Sequence, residues 1–168
     1  GDGMTGLWVA AALGGLGGME GVAGPLMLGR PFVLGALVGW ALGHPLIGFE
    51  AGALVEILWR KESAVPPRIG FDSGLVGAVA AGAAASLPDR PGALLLGLLW
   101  AMPWGALGRR AEQWQRRWHV RALDAVESRL RQGETPSLRG WEALAVAASW
   151  LRAAALIAAG VALGAWVV

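Results

Sequence analysis

Six ionisable residues interrupt apolar stretches of this chain, and their types are the ones that could do chemistry. They are Glu20, His44, Glu50, Glu56, Asp72 and Arg152. A charged side chain in apolar surroundings is costly, so such residues usually have a partner or a task. In a transport protein they can bind a polar substrate, whereas in a structural role they bind a counter-charge or the backbone groups freed by a helix break.

Glycines with helical spacing surround three of these residues. They form two runs with a spacing of four, namely Gly35, Gly39 and Gly43, then Gly48, Gly52 and the carboxylate Glu56. Small residues on one helical face let another backbone approach closely, which matters in a membrane because lipid provides no hydrophobic drive between helices. We therefore predict that these five glycines pack helices together.

Composition limits the possible functions. The chain has 168 residues, of which 55% are hydrophobic, a net charge of +2 and no cysteine, and its mean hydropathy is +0.52. These values predict a single membrane domain over 1–168 without disulfides or thiolate metal sites. No G-x-S-x-G, H-E-x-x-H or G-K-[ST] phosphate loop occurs. We therefore expect no catalytic residues, no cofactor, no metal and no nucleic-acid partner.

The apolar segments predict an all-α, polytopic membrane protein. They cover 4–28, 32–43, 46–58, 69–87, 93–108 and 141–168. The whole stretch 32–59 would make a helix of about 42 Å, too long for one crossing of a core of roughly 30 Å. His44-Pro45 divides it, because proline breaks a helix and disfavours helix in the preceding residue. The resulting glycine-rich piece 46–58 either spans or re-enters, and such broken helices often line a transporter's cavity.

An arginine-rich stretch follows the apolar segment 93–108. Seven arginines lie within 109–131, and apolar side chains recur there every four residues from Trp114 to Leu130. This pattern predicts an amphipathic helix at the membrane interface. A nucleic-acid-binding helix is the alternative, and the apolar segments on both sides disfavour it. The positive-inside rule places 109–131 and the 60–68 loop in the cytoplasm and the 88–92 turn outside.

The stretch from Arg30 to Asp72 resembles the N-terminal half of enzyme IIC of the mannose/sorbose class of the bacterial sugar phosphotransferase system. That family shows R-P-L, V-G-x-x-L-G-D, G-x-x-x-G-G-x-L-E and, about sixteen residues later, P-D. The positions that match here, in this order, are Arg30-Pro31, Val38-Gly39, Leu42-Gly43, Gly48, Gly52, Glu56 and Asp72. A weaker resemblance extends over 4–168.

The resemblance implies a permease subunit of the bacterial inner membrane that forms part of a sugar translocation path. Its expected partners are the lipid bilayer, the sugar, an enzyme IID-like membrane subunit and the soluble IIA and IIB phosphocarriers, in a hetero- or homo-oligomer. Phosphoryl transfer would take place in those other subunits, so the chain itself is not expected to be an enzyme. The alternative is a degenerate, non-transporting membrane scaffold or regulatory paralogue of that family.

Site residues follow from the same resemblance. Glu56 and Asp72 match the family's acids and are predicted to bind substrate, and Arg152 matches an arginine predicted to be a structural counter-charge. His44 replaces a family aspartate and Glu50 is an additional acid; both are candidate substrate contacts. The alternative for His44 is that it only ends the first half-helix before proline. Glu20, among glycines, is predicted to cap a helix break.

Overall fold

The computed structural model of the chain describes residues 2–23, 27–59, 72–87, 92–133 and 138–167, and in these ranges it is α-helical. Its helices are α1 (Asp2–Ala23), α2 (Pro31–Ala41), α3 (Pro45–Trp59), α4 (Ser73–Ala85), α5 (Ala93–Arg131) and α6 (Leu138–Val167). The prediction of an all-α fold is confirmed. The predicted 60–68 loop and nearly all of the 88–92 turn lie outside the described residues.

One helix in the described part of the chain is long and apolar enough to cross a membrane, and it covers Arg139–Val167. The apolar helices α2 and α4 are shorter. A crossing needs about 20 apolar residues, and α4 has 13. The polytopic arrangement predicted from the sequence therefore stays a prediction.

Helices α2 and α3 form a tight hairpin where the sequence has His44-Pro45. Pro31 stands in the first turn of α2, where its missing N–H costs nothing. After Ala41 the chain turns, and Gly43 has a φ of +82°, a conformation that favours glycine. The backbone N–H of His44 donates to the carbonyl of Gly39 at 2.7 Å, and Pro45 begins α3.

Glycines form the contact between α2 and α3. A Cβ atom added to Gly39 would lie 2.7 Å from the Cα of Gly48, and one added to Gly35 would lie 2.9 Å from the Cα of Gly52. These distances leave no room for a side chain, so the backbones themselves are in contact. Gly43 differs from the prediction for it: a Cβ there would meet nothing within 4 Å. Its role in the structure is the turn, not helix packing.

Helix α4 is the centre of the bundle. Every residue from Gly74 to Ala85 is buried, and α4 packs against α2, α3, α5 and α6. A helix that is apolar on all sides is buried on all sides. Its glycines and alanines let the neighbours come close: a Cβ on Gly77 would lie 2.8 Å from the Cα of Pro31.

Helix α5 differs from the sequence prediction, which separates a membrane segment 93–108 from an interfacial helix 109–131. The structure has one helix of 39 residues, with Pro103 inside it. The reason is local: 109–131 contains neither glycine nor proline and is rich in alanine, arginine, leucine and glutamate, all good helix formers. Within this continuous helix, Trp100 donates its indole N–H to the carbonyl of Gly160 on α6 at 2.8 Å.

Candidate functional site

A polar cavity of about 330 Å³ lies among α1, α2, α4, α5 and α6. Its ionisable lining residues are Glu20, Asp72, Glu112 and Arg152, and glycines of α1, α4 and the 27–30 loop form much of the rest. Its volume falls at the lower end of the range of ligand pockets, about 300–1,000 Å³. Four ionisable groups around one space in an apolar bundle make it the candidate site.

Glu20 holds the break between α1 and α2. Its carboxylate accepts the backbone N–H of Met27 at 2.7 Å and that of Gly29 at 2.5 Å. Met27 has a φ of 56°, an uncommon conformation for a residue other than glycine. The two hydrogen bonds fix this turn, which confirms the prediction that Glu20 caps a helix break.

Asp72 caps the N-terminus of α4. Its Oδ1 accepts the backbone N–H of Leu75 at 3.0 Å, so it satisfies one of the donors that a helix start leaves unpaired. Its own N–H donates to the carbonyl of Gly105 on α5 at 3.3 Å. The second carboxylate oxygen, Oδ2, has no hydrogen bond within the described ranges. Asp72 is thus a predicted substrate residue that does line the cavity.

Arg152 reaches the cavity from α6. Its Nε and Nη1 atoms are buried, and neither has a hydrogen-bond partner among the described residues. It lies close enough to Asp72 to interact electrostatically. The same side chain also borders a second, mostly apolar cavity of about 380 Å³ beside Trp114 and Trp118.

Glu112 was not among the sequence candidates. It forms ion pairs with Arg109 at 3.0 Å and with Arg116 at 2.6 Å. Partial burial of its carboxyl favours the neutral form, but the hydrogen bond and charge of Arg116, together with Arg109, outweigh this and lower the pKa of Glu112. The spacing of four to Arg116 was visible in the sequence. The sequence pattern of 109–131 predicts an amphipathic helix at the membrane interface, and this pattern does not mark Glu112 as a site residue.

The other predicted substrate acid, Glu56, lies away from the cavity. It forms an ion pair with Arg30 at 3.4 Å and accepts the backbone N–H of Phe32 at 3.5 Å. It therefore joins the end of α3 to the start of α2. The counter-charge of Glu56 in the structure is Arg30, not Arg152, the residue for which the sequence predicts a counter-charge role.

His44 and Glu50 also lie on the α2–α3 hairpin and do not line the polar cavity. His44 is in the turn, and its carbonyl accepts the backbone N–H of Gly48 at 3.1 Å. Glu50 is exposed on α3. The structure thus brings Asp72 together with Arg152, Glu20 and Glu112. The substrate-binding role of Glu56, His44 and Glu50 stays a prediction.

Comparison with known proteins gives one family. The family model described as the PTS system sorbose-specific IIC component matches residues 4–168. Comparison with individual curated proteins gives no match. The match covers nearly the whole chain, including every element that borders the cavity. This chain therefore belongs to the family of IIC components of the sugar phosphotransferase system, which are the membrane permease subunits of that system.

Proposed function

We propose that this subunit binds its sugar in the polar cavity bordered by Asp72 and Arg152. The observation that carries the proposal is the clustering of four ionisable side chains around a space inside a bundle of glycine and alanine. Transporters commonly place binding sites where interrupted helices meet. Two interruptions border this cavity, the Glu20-capped turn after α1 and the N-terminus of α4 at Asp72.

The chemistry of the lining suits a sugar. A hydroxyl group both donates and accepts hydrogen bonds, so one ligand can bind a carboxylate oxygen and a guanidinium N–H together. Asp72 supplies the acceptor and Arg152 the donor. We also propose that IIA- and IIB-type subunits perform phosphoryl transfer. The cavity then needs no catalytic groups for that step. We place the chain in the bacterial inner membrane as a multi-pass subunit, beside an IID-like partner.

The test of the site is the variant Asp72→Asn, which keeps the shape and one acceptor oxygen for the helix cap but removes the charge. We expect uptake of radiolabelled mannose or sorbose to be abolished while membrane insertion and subunit assembly persist. Asp124→Asn, which changes an exposed acid on α5, is the matched control and should transport normally. Normal uptake by Asp72→Asn would exclude this cavity. A stable wild-type complex without sugar affinity would instead indicate a non-transporting scaffold.

Glu56 needs a separate test because its ion pair with Arg30 could serve only to hold α3 to the start of α2. If Glu56 binds substrate, Glu56→Gln should stop uptake and leave assembly intact. If it only pairs with Arg30, Glu56→Gln should lower thermal stability, and adding Arg30→Gln should restore much of the loss. Uptake and melting temperature measured on the two single variants and the double variant distinguish these outcomes.

The proposed topology has its own test. Cysteines introduced at Arg117 and at Asp89, the latter outside the described residues, should react with an impermeant thiol reagent from opposite sides of the membrane. The reason is that the arginines of 109–131 favour the cytoplasmic side. The chain has no native cysteine, so each introduced thiol reports alone. Labelling of both positions from one side would exclude this topology.

A further inference from the structure

The guanidinium of Arg152 is the least satisfied polar group at the polar cavity. Its Nε and Nη1 are buried without a hydrogen bond to any described residue. Arg109, whose Nε is likewise unpaired, has an ion pair with Glu112, whereas Arg152 has none within the described ranges. Leaving a buried donor unpaired is costly, and more so when the donor is charged. A position that bears this cost suggests a partner that comes from outside the chain.

The acids around the cavity are largely occupied by the chain itself. Glu20 uses both carboxylate oxygens on the turn after α1. Glu112 uses both on Arg109 and Arg116. Asp72 uses Oδ1 on the start of α4. Among the ionisable side chains of the described residues at this cavity, the atoms without a hydrogen bond to the chain therefore include Nε and Nη1 of Arg152 and the acceptor Oδ2 of Asp72.

We propose that Arg152 is a specificity-determining residue that donates hydrogen bonds to hydroxyl oxygens of the sugar, while Asp72 accepts from a hydroxyl of the same molecule. This inference rests on the proposed function, because it assigns a role within the same cavity. It also names the ligand class. A neutral polyhydroxylated ligand satisfies the donor and the acceptor together. An acidic sugar would gain from Arg152 but would be repelled by the carboxylates of Asp72 and Glu20.

This role differs from that of a counter-charge, which the sequence predicts for Arg152. A counter-charge needs only a positive point charge, which lysine also supplies. A hydrogen-bonding role depends on the planar guanidinium and the directions of its N–H groups, which lysine does not reproduce. Arg152→Lys therefore separates the two roles.

The experiment measures binding of radiolabelled mannose, sorbose and a monodeoxy series of the sugar that binds, using the full chain in its membrane complex. Wild type, Arg152→Lys and the control Arg139→Lys, an exposed arginine at the start of α6, are compared. We expect Arg152→Lys to weaken binding of the parent sugar about 10- to 100-fold, as for loss of a hydrogen bond to a charged group. We expect membrane insertion, assembly and melting temperature to stay unchanged.

The deoxy series gives a result that a structural role would not produce. Wild type should bind one or two of the deoxy sugars about 10-fold or more weakly than the parent. Arg152→Lys should lose that preference, because the group that recognises the missing hydroxyl is gone. Equal discrimination by wild type and Arg152→Lys would overturn the role of Arg152 and leave the sugar site standing. Absence of sugar binding by wild type would overturn the proposed function, and the Arg152 assignment with it.

Discussion

Two regions of this subunit are held together in opposite ways. In the glycine-packed region, formed by α2, α3 and α4, helix backbones touch each other directly, as Gly39 does against Gly48. In the arm, which we define as 109–131 of α5 with 138–149 of α6, two mostly apolar cavities are lined by residues of both helices. There the buried described residues are Gln115, Val126 and Ser149. Dispersion between close backbones acts in the first region, whereas in the described part of the arm a buried hydrogen bond from Gln115 to Ser149 joins the two helices.

The polar cavity lies where these regions meet. Asp72 and Gly74 come from the start of α4, while Glu112 comes from the arm and Arg152 from the helical turn that follows it. A ligand that bridges Asp72 and Arg152 would therefore bind both regions at once. The backbones of the glycine-packed region are in direct contact and leave no room for movement, whereas few residues of the arm are buried. We therefore expect the arm to move when the ligand binds.

The largest effect should come from filling a glycine contact. In Gly52→Leu the new side chain would collide with the start of α2, since a Cβ there would already lie 2.8 Å from the Cα of Phe32. Gly39→Leu would collide with Gly48 in the same way. We expect each to destabilise by more than about 3 kcal/mol, the upper range for overpacking. The assay is the melting temperature and yield of the extracted complex.

Leu37→Ala and Gly140→Ala are the controls for these variants. Leu37 lies off the glycine face, and a Cβ on Gly140 would meet nothing within 4 Å. Both should give far smaller losses than the leucine variants. Leucine variants that extract as the same complex with unchanged melting temperature would show that glycine contact does not hold α2 to α3.

The glycine spacing is what made this region predictable from sequence. The hairpin break follows from His44-Pro45, and the close approach follows from glycines at intervals of four, because both are local effects of backbone chemistry. The central position of α4 could not be predicted this way. Its glycines and alanines permit burial on every side but do not say which helices will surround it. The continuity of α5 was missed because the change in composition at Arg109 was given more weight than the helix propensity that continues through it.

The candidate site was predictable only in part, because local sequence patterns do not determine which helices pack together. Asp72 was found through the family motif, and Glu20 through its position among glycines. That these two residues share a cavity with Arg152 and Glu112 depends on how α1, α4, α5 and α6 pack. No spacing in the sequence relates residues on four different helices. The sequence predicts a counter-charge role for Arg152, but its buried Nε and Nη1 atoms have no hydrogen-bond partner among the described residues.

An intermediate effect should come from the polar contact inside the arm. Gln115 donates to the hydroxyl of Ser149 at 2.8 Å, and both side chains are buried. Ser149→Ala leaves the amide of Gln115 without this acceptor, at a cost of about 1–3 kcal/mol. The double variant Gln115→Leu with Ser149→Ala should recover part of the loss, because no polar group is then left unpaired. Melting temperatures of wild type, Ser149→Ala, Gln115→Leu and the double variant measure the coupling, and strict additivity would show that this hydrogen bond does not join α5 to α6.

The smallest effect concerns pH and the arm's ion pairs. The lowered pKa of Glu112 means that its charged form is favoured in the folded protein over the unfolded chain. The stabilisation is thus fully present above the ordinary value of 4.5 and is lost as the pH falls through the lowered value. Glu112→Gln should be less stable than wild type at pH 7 by on the order of 0.5–1 kcal/mol, as for partly exposed pairs. The difference in melting temperature between wild type and Glu112→Gln should narrow as the pH is taken below 4.5.

The control is Glu127→Gln, which breaks the more exposed pair with Arg131. Its difference in melting temperature from wild type should be smaller at every pH. If the difference in melting temperature between wild type and Glu112→Gln stayed constant down to pH 3, Glu112 would act through its shape and packing. The arm would then not be stabilised by charge, and this contrast with the glycine-packed region would fail.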